Sequence, residues 1–581
     1  MMVAMTMTKR TNITLGMIIL MIFIIMTPTM INSLANCPNG CECNDEVLIV
    51  TCNETDLDVM PIALNPSIRK LVMRKNKIKS IESYIQFYPE LVYLDLSENH
   101  LLKLLTKTFQ YQKKLIELNL GQNKISDLES DTFQGLEMLQ ILNLRGNLVF
   151  ELKNYAFSSL SNLEELNLGQ NRITSIEPDA FYRLYNLKIL YLDDNSLNQI
   201  PTLSFPPLTN LAELFIGVNS FTTLEKNAFE KLKKLTTLNL NGAQLHNISS
   251  GAFYGLESLR VLDLSSNRLL RIPTKEISSL NRLEELSIGM NDFDIISEKA
   301  FDGLTNLHKL EIIGANKLTR VQNNAFSENG NLRVIRMTDN EELSQFESAA
   351  FHGLPYLKEL ILKNNAIETI RENSYEWNNL EILDLSDNPL RCDCHLLWYK
   401  IFLNSRNNQH SSNKNKESPN DNNTNSNITK SLSVTNNDYN REFIGNQNQN
   451  VLCLSPQFAK GKELTKLSSD LFGCTPNSDP KTQAIICGLL VITAAIITFL
   501  ILLAYKCRRK KFRNVLKDSS WEISSTIGRK DRDYHKTYAA PQYIDTTMRK
   551  HTMSSSSPSH CGMPGGANNY QQYPMIPITE L

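Results

Sequence analysis

No cysteine occurs in the 339 residues between Cys52 and Cys392, although the chain has 11. Whatever holds that length together is not a disulfide framework. Histidine is scarce as well, 9 in 581 residues and none at the spacing of a metal site. The chain has no phosphate-cradling glycine loop and no nucleophile elbow. With a formal net charge of -1, it has no domain-wide basic field to neutralise phosphates and gives no reason to expect a nucleic-acid partner. These absences leave an enzyme little to work with. No activity, cofactor or metal is expected, and binding becomes the class to argue.

The near-zero charge hides a split. After residue 505 the chain has 13 Lys and Arg against 6 Asp and Glu, while the rest leans acidic. At the start, Lys9 and Arg10 precede an apolar run from Ile13 to Met26, followed by Ser33, Leu34 and Ala35. That order reads as a secretory signal over residues 1–35. A second apolar run, Ala484 to Tyr505, has no charge and enough residues to cross a bilayer as one helix. Lys506, Arg508, Arg509, Lys510, Lys511 and Arg513 follow it as a cytoplasmic stop. The expected arrangement is a single-pass type I plasma-membrane protein with residues 36–483 outside, 476–483 as a stalk, 484–505 in the membrane and 506–581 inside. Eight cysteines then lie outside, in two groups of four, as an even number available for four disulfides.

What fills the cysteine-free length is a repeat. Leu91, Leu115, Leu139, Leu163, Leu187, Leu211, Leu235, Leu259, Leu283 and Leu307 stand 24 residues apart, and further units begin near Ile68, Leu332, Leu357 and Leu380. Each opens L-x-x-L-x-L-x-x-N-x-L, as in Leu115, Leu118, Leu120, Asn123 and Ile125, which is the leucine-rich repeat pattern. About 14 units over residues 67–390 are expected to build an α/β solenoid: a curved parallel sheet with inward leucines and a mostly irregular convex side. The asparagines, Asn76, Asn99 and Asn123 through Asn316 to Asn388, are expected to turn inward and satisfy backbone groups at the bend. The eighth unit has Ala243 there, where a local weakness is expected. Phenylalanines from Phe109 to Phe351 recur at repeat spacing and read as a packed spine behind the sheet.

A solenoid must close its two ends. CPNGCEC with Cys52, and NPLRCDCHLLWYKIF from Asn388, resemble the amino- and carboxy-terminal cysteine caps of extracellular leucine-rich repeat proteins. From sequence alone each group of four cysteines allows three connectivities; the resemblance implies Cys37–Cys43, Cys41–Cys52, Cys392–Cys453 and Cys394–Cys474. The caps are placed at 36–66 and 391–475, with Leu396, Leu397 and Trp398 covering the last repeat. Residues 404–450, rich in Asn and Ser, are expected to be a disordered insertion in the second cap. The extracellular part as a whole resembles the single-pass transmembrane receptors and adhesion proteins of the Kekkon, Capricious, Slit and Toll kind, without the immunoglobulin domain or intracellular signalling domain that some of them have.

The concave face is the expected working surface, since its strand positions form a rigid grid that costs little entropy to present. Tyr93, Asp95, Glu117, Glu165, Tyr191, Asp193, Glu213, Phe215 and Arg336 fall on it, and Tyr191 and Phe215 occupy the same place in adjacent units. Exposed aromatics in an acidic field suit an extracellular or cell-surface protein with a basic surface. Sequons mark Asn53, Asn247, Asn422 and Asn427 as candidate glycan sites. The inner segment is expected to be disordered, with Cys507 as a palmitoylation candidate. It ends in Thr579-Glu580-Leu581, which fits the groove of a PDZ adaptor. The expected role is adhesion or co-receptor binding of protein ligands. The alternative is a receptor subunit or decoy that binds a soluble ligand and modulates another receptor laterally.

Overall fold

The computed structural model describes residues 37–82, 84–414, 451–472, 474 and 480–515. The chain divides into two compact units, Met1–Asn477 and Ser478–Leu581.

In the first unit sixteen short strands form one sheet in chain order. Glu42–Asn44 pairs antiparallel with Ile49–Thr51, and every later pairing is parallel, from Lys70–Val72 through to Ile382–Asp384. Three residues make each repeat strand because only x-L-x alternates; the central leucine points in and its neighbours point out. The register never slips. Leu118 lies beside Leu94 and Leu142, and the same holds from repeat to repeat, so Leu94, Leu118, Leu142 and Leu166 are all fully buried. Behind the sheet the phenylalanines stack face to face: Phe109, Phe133, Phe157 and Phe181 have ring centroids 5.9–6.4 Å apart, and Phe301, Phe326 and Phe351 continue the pattern. Ile277 takes the place of phenylalanine in the unit opening at Leu259, at the end of the short helix Thr274–Ile277.

The asparagines tie one unit to the next. The Asn123 amide donates to the carbonyls of Leu96 (2.9 Å), Leu120 (3.0 Å) and Gly121 (3.2 Å), and its oxygen accepts from the Leu101 amide at 3.0 Å. Asn99, Asn147, Asn171, Asn219, Asn267 and Asn291 repeat this pattern. The residue before each asparagine lies in the left-handed region, as at Gln122 (φ 54°), Gln170 (52°) and Ser266 (55°). That conformation costs roughly 1 kcal/mol for a non-glycine residue, and the bonds made by the following side chain offset it.

Two expectations about this ladder need correction. Asn316 is exposed, and Ala315 takes the rung, buried, because the unit opening at Leu307 places its ninth residue there. At Ala243 the expected weakness does not disturb pairing: Thr237–Asn239 keeps its register with both neighbours, although the alanine makes none of the rung's side-chain hydrogen bonds and the following Gln244 takes φ 64°. Both alanines have the same compensation one unit earlier. Where other units carry Ile125, Val149, Leu197 or Leu269, the units before Ala243 and Ala315 carry Phe221 and Phe293, both fully buried. A polar rung is exchanged for a large–small apolar pair of similar total volume.

At the carboxy-terminal end, Cys392–Cys453 and Cys394–Cys474 close a cap; at the amino-terminal end the pairs are Cys37–Cys43 and Cys41–Cys52. The helix Leu397–Lys414 buries Trp398, Tyr399 and Phe402 over the last repeat. The Tyr399 hydroxyl accepts from Leu385 N at 3.1 Å and donates to Leu383 O at 3.3 Å, while Trp398 stacks on Trp377 at 4.7 Å. Disorder therefore does not begin at residue 404. The helix runs on to Lys414 because Phe402 packs inward and the Arg406 guanidinium ties back to the Leu380 and Asn378 carbonyls. Residues 415–450 lie outside those described.

In the second unit one helix, Pro480–Val515, contains a stretch, Gly488–Arg508, long and apolar enough to cross a membrane. The helix exceeds the expected 484–505 at both ends, taking in part of the expected stalk and of the tail, since main-chain bonding does not stop where apolarity does. Pro480 suits its first turn, where an amide would have no partner. Residues 1–36 and 516–581 lie outside the description, and with them the secretory signal and the Thr579-Glu580-Leu581 ending.

Asn171→Ala, which strands buried carbonyls and an amide, should cost about 2–4 kcal/mol in denaturant unfolding. Ala243→Asn alone should destabilise by about 1–3 kcal/mol through overpacking, and Phe221→Leu in the same chain should recover most of that loss.

Candidate functional site: the concave face

Two positions of each strand face the concave side, so the surface is a grid of columns running across the repeats. One column carries Tyr93, Glu117, Ile141, Glu165, Ile189 and Glu213 on successive strands; the next carries Asp95, Asn119, Asn143, Asn167, Tyr191 and Phe215. Parallel in-register pairing brings Tyr191 and Phe215 together, with rings stacked at 4.7 Å and 12° between their planes, both half-buried.

The sequence-derived candidates separate by what their charges already do. Asp95 is in its column but largely withdrawn from solvent: it is buried, with an oxygen accepting from Ser97 N at 2.8 Å. Asp193 is held by Arg145 at 2.9 Å, across two repeats, and its other oxygen is buried without a partner. This bridge passes directly over Gly169, where any Cβ would collide with the Arg145 guanidinium and the Asp193 carboxylate. Arg336 lies between Glu311 (3.2 Å) and Glu359 (3.7 Å), and Lys309 joins Glu285 (3.5 Å) to Glu311 (3.2 Å). The carboxy-terminal part of the face is thus internally neutralised.

Glu117, Glu165 and Glu213 differ. Among the described residues no lysine or arginine forms an ion pair with any of them. Burial raises the Glu165 carboxyl above its usual value, helped by Glu117 and Glu213; burial raises Glu117 too, with Asp95 adding to the shift and Lys70 opposing it. Tyr191 is raised by burial and then by Glu165, Glu213 and Asp193. Tyr93 carries the Lys70 ammonium 4.5 Å from its ring centre, and burial, Asp95 and Glu117 push its hydroxyl up to about 12.

Sequence reasoning placed Tyr191 beside Phe215 because 24 residues separate them. It missed the Arg145–Asp193 bridge, whose only signal is a small residue midway, Gly169, in a column that also holds Gly121 and Gly217. Of the candidate glycan sites, Asn53 is exposed and Asn247 lies exposed in the strand Asn247–Ile248, which pairs with Thr223–Leu224 away from the concave sheet. Asn422 and Asn427 lie outside the described residues. Cys507 is a free, exposed thiol on the apolar helix. No group of His, Cys, Asp or Glu that could hold a metal occurs among the described residues.

Residues 89–149, 139–197, 185–245 and 235–293 match the leucine rich repeat model, and 271–393 match the model of the BspA type leucine rich repeat region. Together these cover more than half of the chain. The chain belongs to the leucine-rich repeat family. Chondroadherin of Mus musculus is 35% identical over 83 residues, 14% of this chain and 23% of that protein. The high affinity nerve growth factor receptor of Rattus norvegicus is 45% identical over 49 residues, 8% of this chain and 6% of that protein. The chain therefore spans less than a quarter of the length of these curated relatives. Among solved leucine-rich repeat structures, the TLR13–ssRNA13 complex aligns with a TM-score of 0.50 and 27% identity over 58% of this chain and 56% of that one. A leucine-rich repeat protein of Leptospira interrogans aligns at 0.49 and 26%, over 58% and 90%.

A carboxyl whose folded pKa is raised costs stability when ionised, and the cost disappears as pH falls through that value. Glu165→Gln should accordingly raise Tm at about pH 7.5 and leave it unchanged below about pH 4, the range of an ordinary glutamate, as differential scanning fluorimetry at both pH values would show.

Proposed function

We propose that this chain is a single-pass type I cell-surface protein that binds a protein partner through its concave face, with Tyr191 and Phe215 as the anchor, in cell adhesion or as a co-receptor. One observation carries the reading: a stacked, half-exposed aromatic pair stands on a rigid sheet beside carboxylates with no ion-pair partner among the described residues, while Asp193, Glu285, Glu311 and Glu359 are matched by Arg145, Lys309 and Arg336. Rigid aromatics are efficient anchors because they contribute area at little entropic cost. The unmatched carboxylates favour a basic protein and repel a phosphate backbone, so the single-stranded RNA of the TLR13 complex is not carried over to this chain.

The adhesion and receptor names among the relatives support the same class of role. Four disulfides suit an oxidising exterior, and the apolar helix followed by Lys506, Arg508 and Arg509 suits an inward carboxy terminus. Inside, Thr579-Glu580-Leu581 serves as the ligand of a PDZ adaptor, and no catalytic step is assigned.

Cells expressing the full chain should cluster, or should capture one member of a panel of purified ectodomains. Tyr191→Ser with Phe215→Ser should weaken that contact about 100-fold or more, a loss typical of removing two anchors, at unchanged surface level by flow cytometry. Unchanged clustering and capture in the double variant would remove the concave face from the binding role. Capture of a soluble factor without clustering would assign the receptor-subunit alternative.

A further inference from the structure

The concave carboxylates form a ruler. Glu117, Glu165 and Glu213 occupy one column on every second strand, with Ile141 and Ile189 between them, so charge and apolar surface alternate along the solenoid axis. In-register strands stand about 4.8 Å apart, and on this face the Tyr191 and Phe215 rings of two adjacent strands lie 4.7 Å apart. The carboxylates therefore recur about every 9.4 Å. Unlike Glu285, Glu311 and Glu359, which share Lys309 and Arg336, none of the three is paired within the described chain.

We propose that this face takes an extended peptide in the polyproline II conformation, lying along the solenoid axis with a basic residue at every third position. This rests on the concave-face reading above and specifies the shape of the partner. Three residues of polyproline II rise about 9.3 Å, which keeps two successive steps within a few tenths of an ångström of the carboxylate column. A β-strand repeats a face at about 6.6 Å. An α-helix returns to one face after seven residues and about 10.5 Å. Neither period keeps step with the three carboxylates. Between the basic residues, proline rings meet Ile141 and Ile189 on one side and the Tyr191–Phe215 platform on the other. Aromatic-lined grooves suit such segments because the peptide is pre-extended and loses little entropy on docking. The part-buried carboxylates also favour the occupant, since a guanidinium supplied from outside offsets a desolvation that Lys70 opposes only at Glu117 and that no ion pair among the described residues relieves.

The test uses the full chain in neutral detergent micelles and three fluorescein-labelled probes read by anisotropy. Arg-Pro-Pro-Arg-Pro-Pro-Arg has the matching period; Arg-Pro-Arg-Pro-Arg-Pro-Pro has the same composition at the wrong one; the third is a helix-forming peptide with arginines seven apart. The matching probe should bind about tenfold tighter than either other probe, with an affinity that falls as salt rises. Glu165→Gln should remove most of that preference while the fold, followed by Tm, is kept. Glu165→Lys should reject the matching probe and accept its variant with glutamate in place of the central arginine. Equal binding of the two isomeric probes, tighter binding of the helical one, or an unaltered preference in Glu165→Gln would overturn the inference. If that happened while Tyr191→Ser with Phe215→Ser still abolished capture of an ectodomain, the concave-face reading would stand and only the ruler would fall.

Discussion

An asparagine amide held inside a bend is the constraint on which the repeat unit depends. Leucine burial supplies most of the driving force, but leucines alone would be satisfied by many compact arrangements. A turn that brings each strand back beside the last leaves carbonyls and an amide facing away from water. Those groups need partners at fixed distances. One side chain with two donors and an acceptor, placed as at Asn123, meets that need and fixes the pitch of the coil. The left-handed residue before it, the three-residue strand and the stacked phenylalanines all follow from that pitch.

The same logic explains what could be read in advance. The 24-residue spacing made the parallel sheet, the inward leucines, the phenylalanine stack and the juxtaposition of Tyr191 with Phe215 legible, because each depends only on counting. The unit opening at Leu307 showed the limit: a 25-residue step follows it, and an asparagine one place late at 316 looked like a rung when Ala315 was the residue at that place. The helix through Lys414 was hidden because the polar composition after residue 404 outweighed a single inward Phe402. Ion pairs were hidden for a different reason. Arg145 reaches Asp193 over 48 residues of sequence, and nothing in the spacing of either says that a glycine between them leaves the way open.

Charge on the concave face is distributed unevenly, in a way visible only in the fold. Glu285, Glu311 and Glu359 each meet a cation from a neighbouring strand, which makes that part of the surface self-contained. Between Glu117 and Glu213 the fold leaves carboxylates unmatched and partly desolvated, a state that costs stability in the isolated chain. Sites that spend stability in this way are commonly those where a partner acts. Because the neighbouring strands are locked in register, such a surface cannot relax by rearrangement, and it presents one geometry to whatever approaches.

The exchange of asparagine for alanine at positions 243 and 315, each matched by a phenylalanine upstream, has a bearing on how the coil comes apart. Cooperativity in a linear array passes only between nearest neighbours. The polar rungs form three runs, Asn76 to Asn219, Asn267 to Asn291 and Asn340 to Asn388, joined by two greasy seams. Amide protons within a run are expected to share one opening event, with the seams as the breakpoints, so a pull on the carboxy-terminal end of the array would peel the coil in blocks rather than one turn at a time.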